Sequence, residues 1–318
     1  MESKMKKTQE WKELVIGVLM LAVLAAVVVV RLETKNTARA QSQVMFQSPA
    51  EAGEALANAA RNADDAEVSK ILGADTRLLL SAEDRQADQA ALQAFAAKFN
   101  KMNRWVKMTD GSEVLYIGVD NFAFPVPLAK NPSGEWYFDA VAGAEEVRTR
   151  DIGRNELLAV DACSALGIAQ QAYFANGIDS PEYAQRIISS SGKQDGLYWP
   201  ASEKEHSSPL ASLSEFPRSS LASLSPGQPL VIDGYSLRIL TAQGEDAPGG
   251  TRSYIVNGKM TGGYAILAAP AKYGETGIMT FMMGSDGVVY QRDLGPDTST
   301  TAAYIQEFDP SDDWTRVE

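Results

Sequence analysis

NELLAVDACSALGIAQQAYFANG, residues 155–177, decides the fold of the chain's second half. Leu158, Ala162, Leu166, Ala169 and Tyr173 recur three or four residues apart, which puts them on one side of an α-helix, and Gly177 supplies a stop. Such a stripe has to be covered by a sheet or another helix. The sequence beyond it provides the sheet. Period-two segments run from Tyr235 to Thr241, Arg252 to Val256, Tyr264 to Ala269, Ile278 to Met283 and Val288 to Arg292, with glycines at their boundaries and Asp286-Gly287 as a hairpin turn. A long helix packed on an antiparallel β-meander is the reading for residues 151–318. Between helix and meander, Ser180-Pro181-Glu182 opens what the capping pattern predicts as a second helix to about Ser191. Residues 202–229 hold Pro209, Pro217, Pro226 and Pro229 and repeat the string LASLS at 210–214 and 221–225, so an extended or loosely turned connection is expected there.

Working towards the N-terminus, residues 46–150 read as a separate α+β unit. Ser48-Pro49-Ala50-Glu51 combines an N-cap, a proline at the first helical position and the acid of a capping box. A short helix from about Asp65 to Gly73 follows, then a third from Ser81 that carries Ala91, Leu92, Phe95 and Phe99 on its apolar side. After Trp105 the period changes to two: Val114, Tyr116 and Gly118 alternate, as do Phe122, Phe124, Val126 and Leu128, with Pro125 and Pro127 restricting that strand to an edge or a bulge. Asn131-Pro132-Ser133-Gly134 turns the chain into Glu135–Asp139. The fold class is therefore α+β, three helices plus an antiparallel sheet followed by a helix on a meander, and the boundary is placed near Asp151–Asn155.

Residues 1–45 are expected to be an address. Leu14–Val30 is seventeen residues without a charge, about 26 Å as a helix at ~1.5 Å per residue, close to a bilayer core of ~30 Å. Lys4, Lys6, Lys7 and Lys12 precede it and belong on the cytoplasmic side, so the body would be a single-pass protein's exported part, in the periplasm or on the cell surface. Ala38-Arg39-Ala40 offers a cleavage site before Gln41 as the alternative, a secreted form.

Composition closes off much chemistry. Of 318 residues, 45% are hydrophobic and 22% charged, the profile of one or two globular domains. Net charge is −12, while the first forty residues hold seven Lys/Arg against four Glu, so the body is more acidic still and unsuited to nucleic acid. One cysteine and one histidine exclude a disulfide framework, Cys-rich zinc sites and two-His metal motifs, and no cofactor is expected. Ser190-Ser191-Gly192-Lys193 matches S-x-x-K, but no K-T-G or S-D-N partner accompanies it. His206 lies in a Pro-rich stretch that would hold a catalytic base poorly, and Cys163 falls beside the helix's apolar stripe as core filler. Asp309, Asp312 and Asp313 lack the spacing of a calcium loop, Asp139 with Glu145-Glu146 reads as solvated carboxylates, and Gly258–Gly263 as a turn. The reading assigns no catalytic residue and no metal ligand. Tyr198 and Trp199, in DGLYWP, are the candidate binding residues, as loop anchors for a glycan or an envelope protein, with a loop folded back into the core as the alternative.

The motifs FPVPLAK, GEWYFD, AGAEEV, IGRNEL, AQQAYF, DGLYWP, DGYSLRILTAQGEDAPGG, YAILAAPAKYGETGIMTF and DGVVYQRDLG, in this order over residues 46–318, resemble the exported bacterial family catalogued as domain of unknown function 2950. That resemblance implies a cell-envelope location and transfers no catalytic residue. The second half is also similar to the globular part of pilin-like proteins, through its Asn-Glu helix start, Gly234-Tyr235, Ala268-Ala269-Pro270 and Gly274–Gly277; the first half is reminiscent of small cone folds. The function expected is a membrane-anchored, non-catalytic structural or interaction component of the envelope. The alternative is a small-molecule binding protein or hydrolase with a cavity in residues 46–150, where Trp105, Tyr116, Phe124 and Trp136 could line a cone.

Overall fold

A computed structural model describes residues 43–73, 85–177, 181–200, 207–213, 221 and 229–317. The Leu14–Val30 segment and His206 lie outside the described residues. The fold is mixed α and β, with five α-helices and antiparallel sheets among the described residues. None of these helices is long and apolar enough to cross a membrane. The chain divides into two compact units between Val147 and Arg148.

In the first unit, α1 (Pro49–Arg61) starts at the expected cap: Glu51 N–H donates to Ser48 Oγ at 3.2 Å, while the Glu51 carboxylate accepts at 2.8 Å from Gln47 N–H, one residue ahead of the N–H that a capping box uses. It buries Ala52, Leu56, Ala59 and Ala60. Next, α2 (Asp65–Leu72) is capped by Asp64 and stops at Gly73, whose φ of 87° lies in the region that favours glycine. The longer α3 (Arg85–Lys101) buries Phe95 and Phe99. The sheet comprises β1 (Asn103–Lys107), β2 (Glu113–Ile117), β3 (Phe122–Ala123), β4 (Leu128–Lys130) and β5 (Trp136–Phe138), ordered β1-β2-β4-β5 with β3 also on β2. The alternating run from Phe122 to Leu128 is thus two short strands rather than one. Pro125 and Pro127 have no N–H to give a ladder, so regular pairing lapses between β3 and β4, although Phe124 N–H still donates to Leu115 O at 2.8 Å and Pro127 O accepts from Asp139 N–H at 2.9 Å.

The helix that links the halves starts earlier than its apolar stripe. It is α4 (Ala140–Asn176), 37 residues rather than the 22 that the stripe marked. Asp139 Oδ1 accepts from Val141 N–H at 3.1 Å and Ala142 N–H at 3.0 Å, so the cap lies sixteen residues ahead of Asn155. Residues 140–154 are mostly Ala, Glu and Arg, good helix formers without a stripe, and the glycines among them obscure the pattern. Gly143 is there for contact: a Cβ on it would lie 2.8 Å from Val126 Cγ2.

In the second unit, a six-stranded antiparallel sheet is ordered β15-β14-β13-β12-β7-β6, from β6 (Leu230–Ile232), β7 (Tyr235–Leu240), β12 (Ala265–Pro270), β13 (Met279–Gly284), β14 (Val289–Asp293) and β15 (Thr315–Arg316). Two smaller ladders join β8 (Ala242–Gln243) to β9 (Arg252–Ser253) and β10 (Ile255–Val256) to β11 (Lys259–Met260), so the segment Arg252–Val256, expected as one strand of the meander, is two short strands outside the main sheet, parted at the buried Tyr254 whose N–H donates to Thr241 O at 2.8 Å. Central β12 is buried at all six positions. Ile266, Ala268, Phe281 and Met283 share a core with Ala162, Cys163, Leu166 and Ala169 of α4. Across the sheet sits α5 (Thr298–Tyr304), a helix without an apolar period in its sequence, whose last carbonyls at Ala302 and Ile305 accept from the Arg238 guanidinium. Leu158, placed on the buried stripe by periodicity, is 37% exposed, and Ala159 is buried in its stead.

The helix expected from Ser180 to Ser191 does not form over the described residues 181–191. Their backbone groups are taken by tertiary partners. Tyr183 N–H donates to Met260 O at 2.8 Å, Ser189 N–H to Tyr198 O at 2.9 Å, and Tyr198 N–H to Ile187 O at 2.9 Å. Gln170 of α4, fully buried, completes the clamp: its side-chain oxygen accepts from Ala184 N–H and its nitrogen donates to Ala184 O, both at 2.8 Å. A helix would have to break all of these. Within residues 202–229, Leu210 and Leu221, the first residues of the two LASLS copies, are both fully buried in this core.

Candidate functional site

The first unit carries a half-open cavity of about 360 Å³. Leu56 from α1, Leu92 and Phe95 from α3, Ile117 from β2, and Phe124 and Val126 from the β3–β4 connection supply much of its wall. The helices bring this wall together because their apolar stripes face the concave side of the sheet. Phe95 and Phe124 lie with ring centroids 4.9 Å apart, and Phe124 meets the buried Phe138 edge-on at 6.2 Å.

Among the described residues, one charged side chain lines this otherwise apolar space. Lys98, three residues after Phe95 on α3, lies with its ammonium 5.0 Å above the Phe122 ring and donates to Asp120 Oδ2 at 2.6 Å. That bond, reinforced by the charges of Lys98 and Lys101, holds the Asp120 carboxyl below the usual carboxylate range. No carboxylate, hydroxyl, thiol or imidazole is among the described residues that line the cavity.

Of the four aromatic residues expected to form a cone, only Phe124 reaches the cavity. Tyr116 lies on the face of β2 opposite Leu115 and Ile117, under the Arg104 guanidinium at 4.5 Å, as strand alternation requires. Trp136 lies beneath the Lys130 ammonium at 4.6 Å, and Trp105 packs towards Gly53, where a Cβ would come within 3.2 Å of its ring. Sequence reading missed Lys98. Its signal was a cation one helical turn after Phe95, beside the apolar stripe of its helix.

The other candidates lie outside the lining of this cavity. Ser190 Oγ donates to Asp195 Oδ2 at 2.9 Å and accepts from Arg186 Nη1 at 2.8 Å. Lys193 is exposed, and its backbone N–H closes a turn on Ser190 O, so the S-x-x-K spacing lies on a turn instead of on one face of a helix. Burial pushes the Cys163 thiol up to about 12, where almost no thiolate forms at neutral pH. Asp139 is the α4 cap, and Glu145 and Glu146 follow on that helix. Asp309 accepts from Asp246 N–H at 2.9 Å while Asp313 pairs with Arg292 at 3.2 Å, and no cluster of three metal-ligating side chains occurs among the described residues. Asn257-Gly258 turns β10 into β11. Tyr198 and Trp199 are each 7% exposed. The hydrogen bonds of Tyr198 to Ile187 and Ser189 draw this pair inward, and Tyr198 belongs to the second unit's core.

No curated protein and no solved structure matches the chain. A family model described as "Protein of unknown function (DUF2950)" matches residues 43–317, nearly the whole length over which the motifs run. The chain therefore belongs to the DUF2950 family.

Proposed function

We propose that this protein is a membrane-anchored, non-catalytic component of the cell envelope whose first unit binds the apolar part of an amphiphile, with an acidic head group at Lys98. The observation that carries the reading is the apolar cavity of about 360 Å³ with a single cation among its described lining residues. Its size falls within the roughly 300–1,000 Å³ of small-molecule sites. An ammonium has three donors, and the bond to Asp120 uses one, leaving capacity for an incoming carboxylate or phosphate. Hydrolysis would need a nucleophile or a base beside the ligand, which the described lining does not supply. The anchor is Leu14–Val30, and the body lies outside the cytoplasm. In the finer description the first unit is cone-like and the second pilin-like, a long helix on a meander, serving as a scaffold.

The test is saturable binding of a fluorescent long-chain fatty acid to the full chain. Leu92→Trp, which crowds the cavity, should weaken binding at least about tenfold, the equivalent of ~1.4 kcal/mol. Lys98→Ala should weaken the acid but not its uncharged alcohol. Absence of saturable binding, or binding indifferent to both substitutions, overturns the proposal.

A further inference from the structure

The turn between β2 and β3 stands beside the cavity and has an unusual surface. Val119 at its tip is 82% exposed and Phe122, which also lines the cavity, is 43% exposed. Large apolar side chains exposed together in a soluble body need an explanation. The turn is also braced. Gly118 N–H donates to Met102 O at 2.9 Å, Asn121 N–H to Gly118 O at 3.1 Å, and Arg104 Nε to Asn121 Oδ1 at 3.2 Å. With Lys98 tied to Asp120, the tip is held on both sides by the end of α3 and the start of β1. An exposed valine on a fixed tip is presented to something outside the molecule.

The charge around it says what. Lys98, Lys101 and Arg104 surround the turn, and Asp120 is the acid within it, so the tip is locally positive in a chain whose net charge is −12. The run KFNKMNRWVK, residues 98–107, contains four cations and no acid. An apolar point ringed by Lys and Arg is the arrangement by which peripheral proteins enter the head-group region of an anionic bilayer. A protein partner of matching shape would be expected to meet a broader apolar face than one turn provides.

We infer that the β2–β3 turn, with Val119 at its tip, Phe122 at the start of β3 behind it and Lys98, Lys101 and Arg104 around it, docks into an anionic phospholipid surface, so that the cavity beside it opens onto the membrane. Docking needs only the turn; the statement that the cavity's ligand enters from that membrane rests on the function proposed above.

The experiment reconstitutes the full chain into vesicles of phosphatidylcholine alone or with 30 mol% phosphatidylglycerol. An environment-sensitive fluorophore is attached at Val119→Cys or, as a control in the second unit, at the half-exposed Val256→Cys; buried Cys163 stays unlabelled. At position 119 the label should shift to the blue and be quenched by a lipid-borne nitroxide in the anionic vesicles. The effect should shrink in 0.5 M salt, where the screening length is roughly 4 Å, and the label at 256 should stay silent. Lys101→Glu reverses one exposed charge and should lower the inserted fraction by about an order of magnitude. A silent label at 119, equal insertion into neutral vesicles, or indifference to Lys101→Glu would overturn docking. Fatty-acid binding measured on the same preparations separates the two proposals: a bound acid with a silent label removes docking alone, and an inserted label without bound acid removes the cavity reading alone.

Discussion

Replacing Gln170 by Leu should loosen the second unit more than any surface change, and the amount can be worked out. Gln170 is fully buried and Ala184 is 1% exposed, so neither has water to fall back on. The two bonds between them, both 2.8 Å, contribute about 1 kcal/mol each net of what water would have supplied. Leu then leaves the Ala184 N–H and C=O unpaired, at roughly 1–3 kcal/mol apiece, offset in part by the better burial of an apolar side chain. A loss of about 3–4 kcal/mol follows, a large share of the ~5–15 kcal/mol that holds a typical domain. With a urea slope of about 2 kcal/mol per molar, the unfolding midpoint of the second unit should fall by roughly 1.5–2 M. Amide exchange should rise first at Tyr183, Ala184, Ser189 and Tyr198, whose bonds depend on the clamp. Gln170→Glu gives an internal check. Burial raises the pKa of its carboxyl in the folded state, so the protonated acid substitutes for Gln at low pH and stability is lost as pH rises above the unfolded value of about 4.3. A midpoint within about 0.3 M of the parent for Gln170→Leu, or a loss spread evenly with residues 183–198 still protected, would refute the argument.

Trp199→Ala should cost ~3–5 kcal/mol in urea or thermal unfolding, the cost of emptying a core site, because the side chain is 7% exposed. Burial acts against ionisation of Asp195, but the Ser190 N–H and O–H and the Arg186 charge outweigh it and hold the carboxyl below its ordinary value. The stability it contributes is therefore present above about pH 3.9 and is lost as pH falls through the folded value. Protection factors across residues 186–198, taken relative to intrinsic exchange at each pH, should fall on acidification, and Asp195→Asn should abolish that dependence. Lys193→Ala, at an exposed turn, should change stability by less than about 0.5 kcal/mol. Cys163, fully buried with its thiol pushed up to about 12, should resist iodoacetamide at pH 8 in the folded protein and react once urea unfolds it; rapid labelling of the native chain would show that the core opens there.

Periodicity was sufficient for the elements whose own residues carry the signal. The Ser48 cap, the Phe95–Phe99 stripe, the α4 stripe and four of the five expected meander strands could be read because each pairs local propensity with a buried face, whereas Arg252–Val256, exposed at most of its positions, breaks into two short strands that pair outside the main sheet. The α5 helix was not legible, since TSTTAAY has neither stripe nor strong propensity and is held partly by Arg238 at its C-terminal end. Residues 181–191 show the converse: a valid capping signature was overridden by Gln170, Met260 and Tyr198, none of them local. The site followed the same division. An acidic, Cys- and His-poor composition was enough to set aside metal and thiol chemistry as expectations, and motif order was enough to name the family. The cavity was not. Its wall draws on α1, α3, β2 and the β3–β4 connection, and Lys98 acquires its meaning only when Asp120 and Phe122 arrive from 22 and 24 residues away. Helix caps and stripes are local properties and so are written in the sequence, whereas a concave space exists only between segments, and its chemistry depends on which side chains tertiary packing leaves facing it.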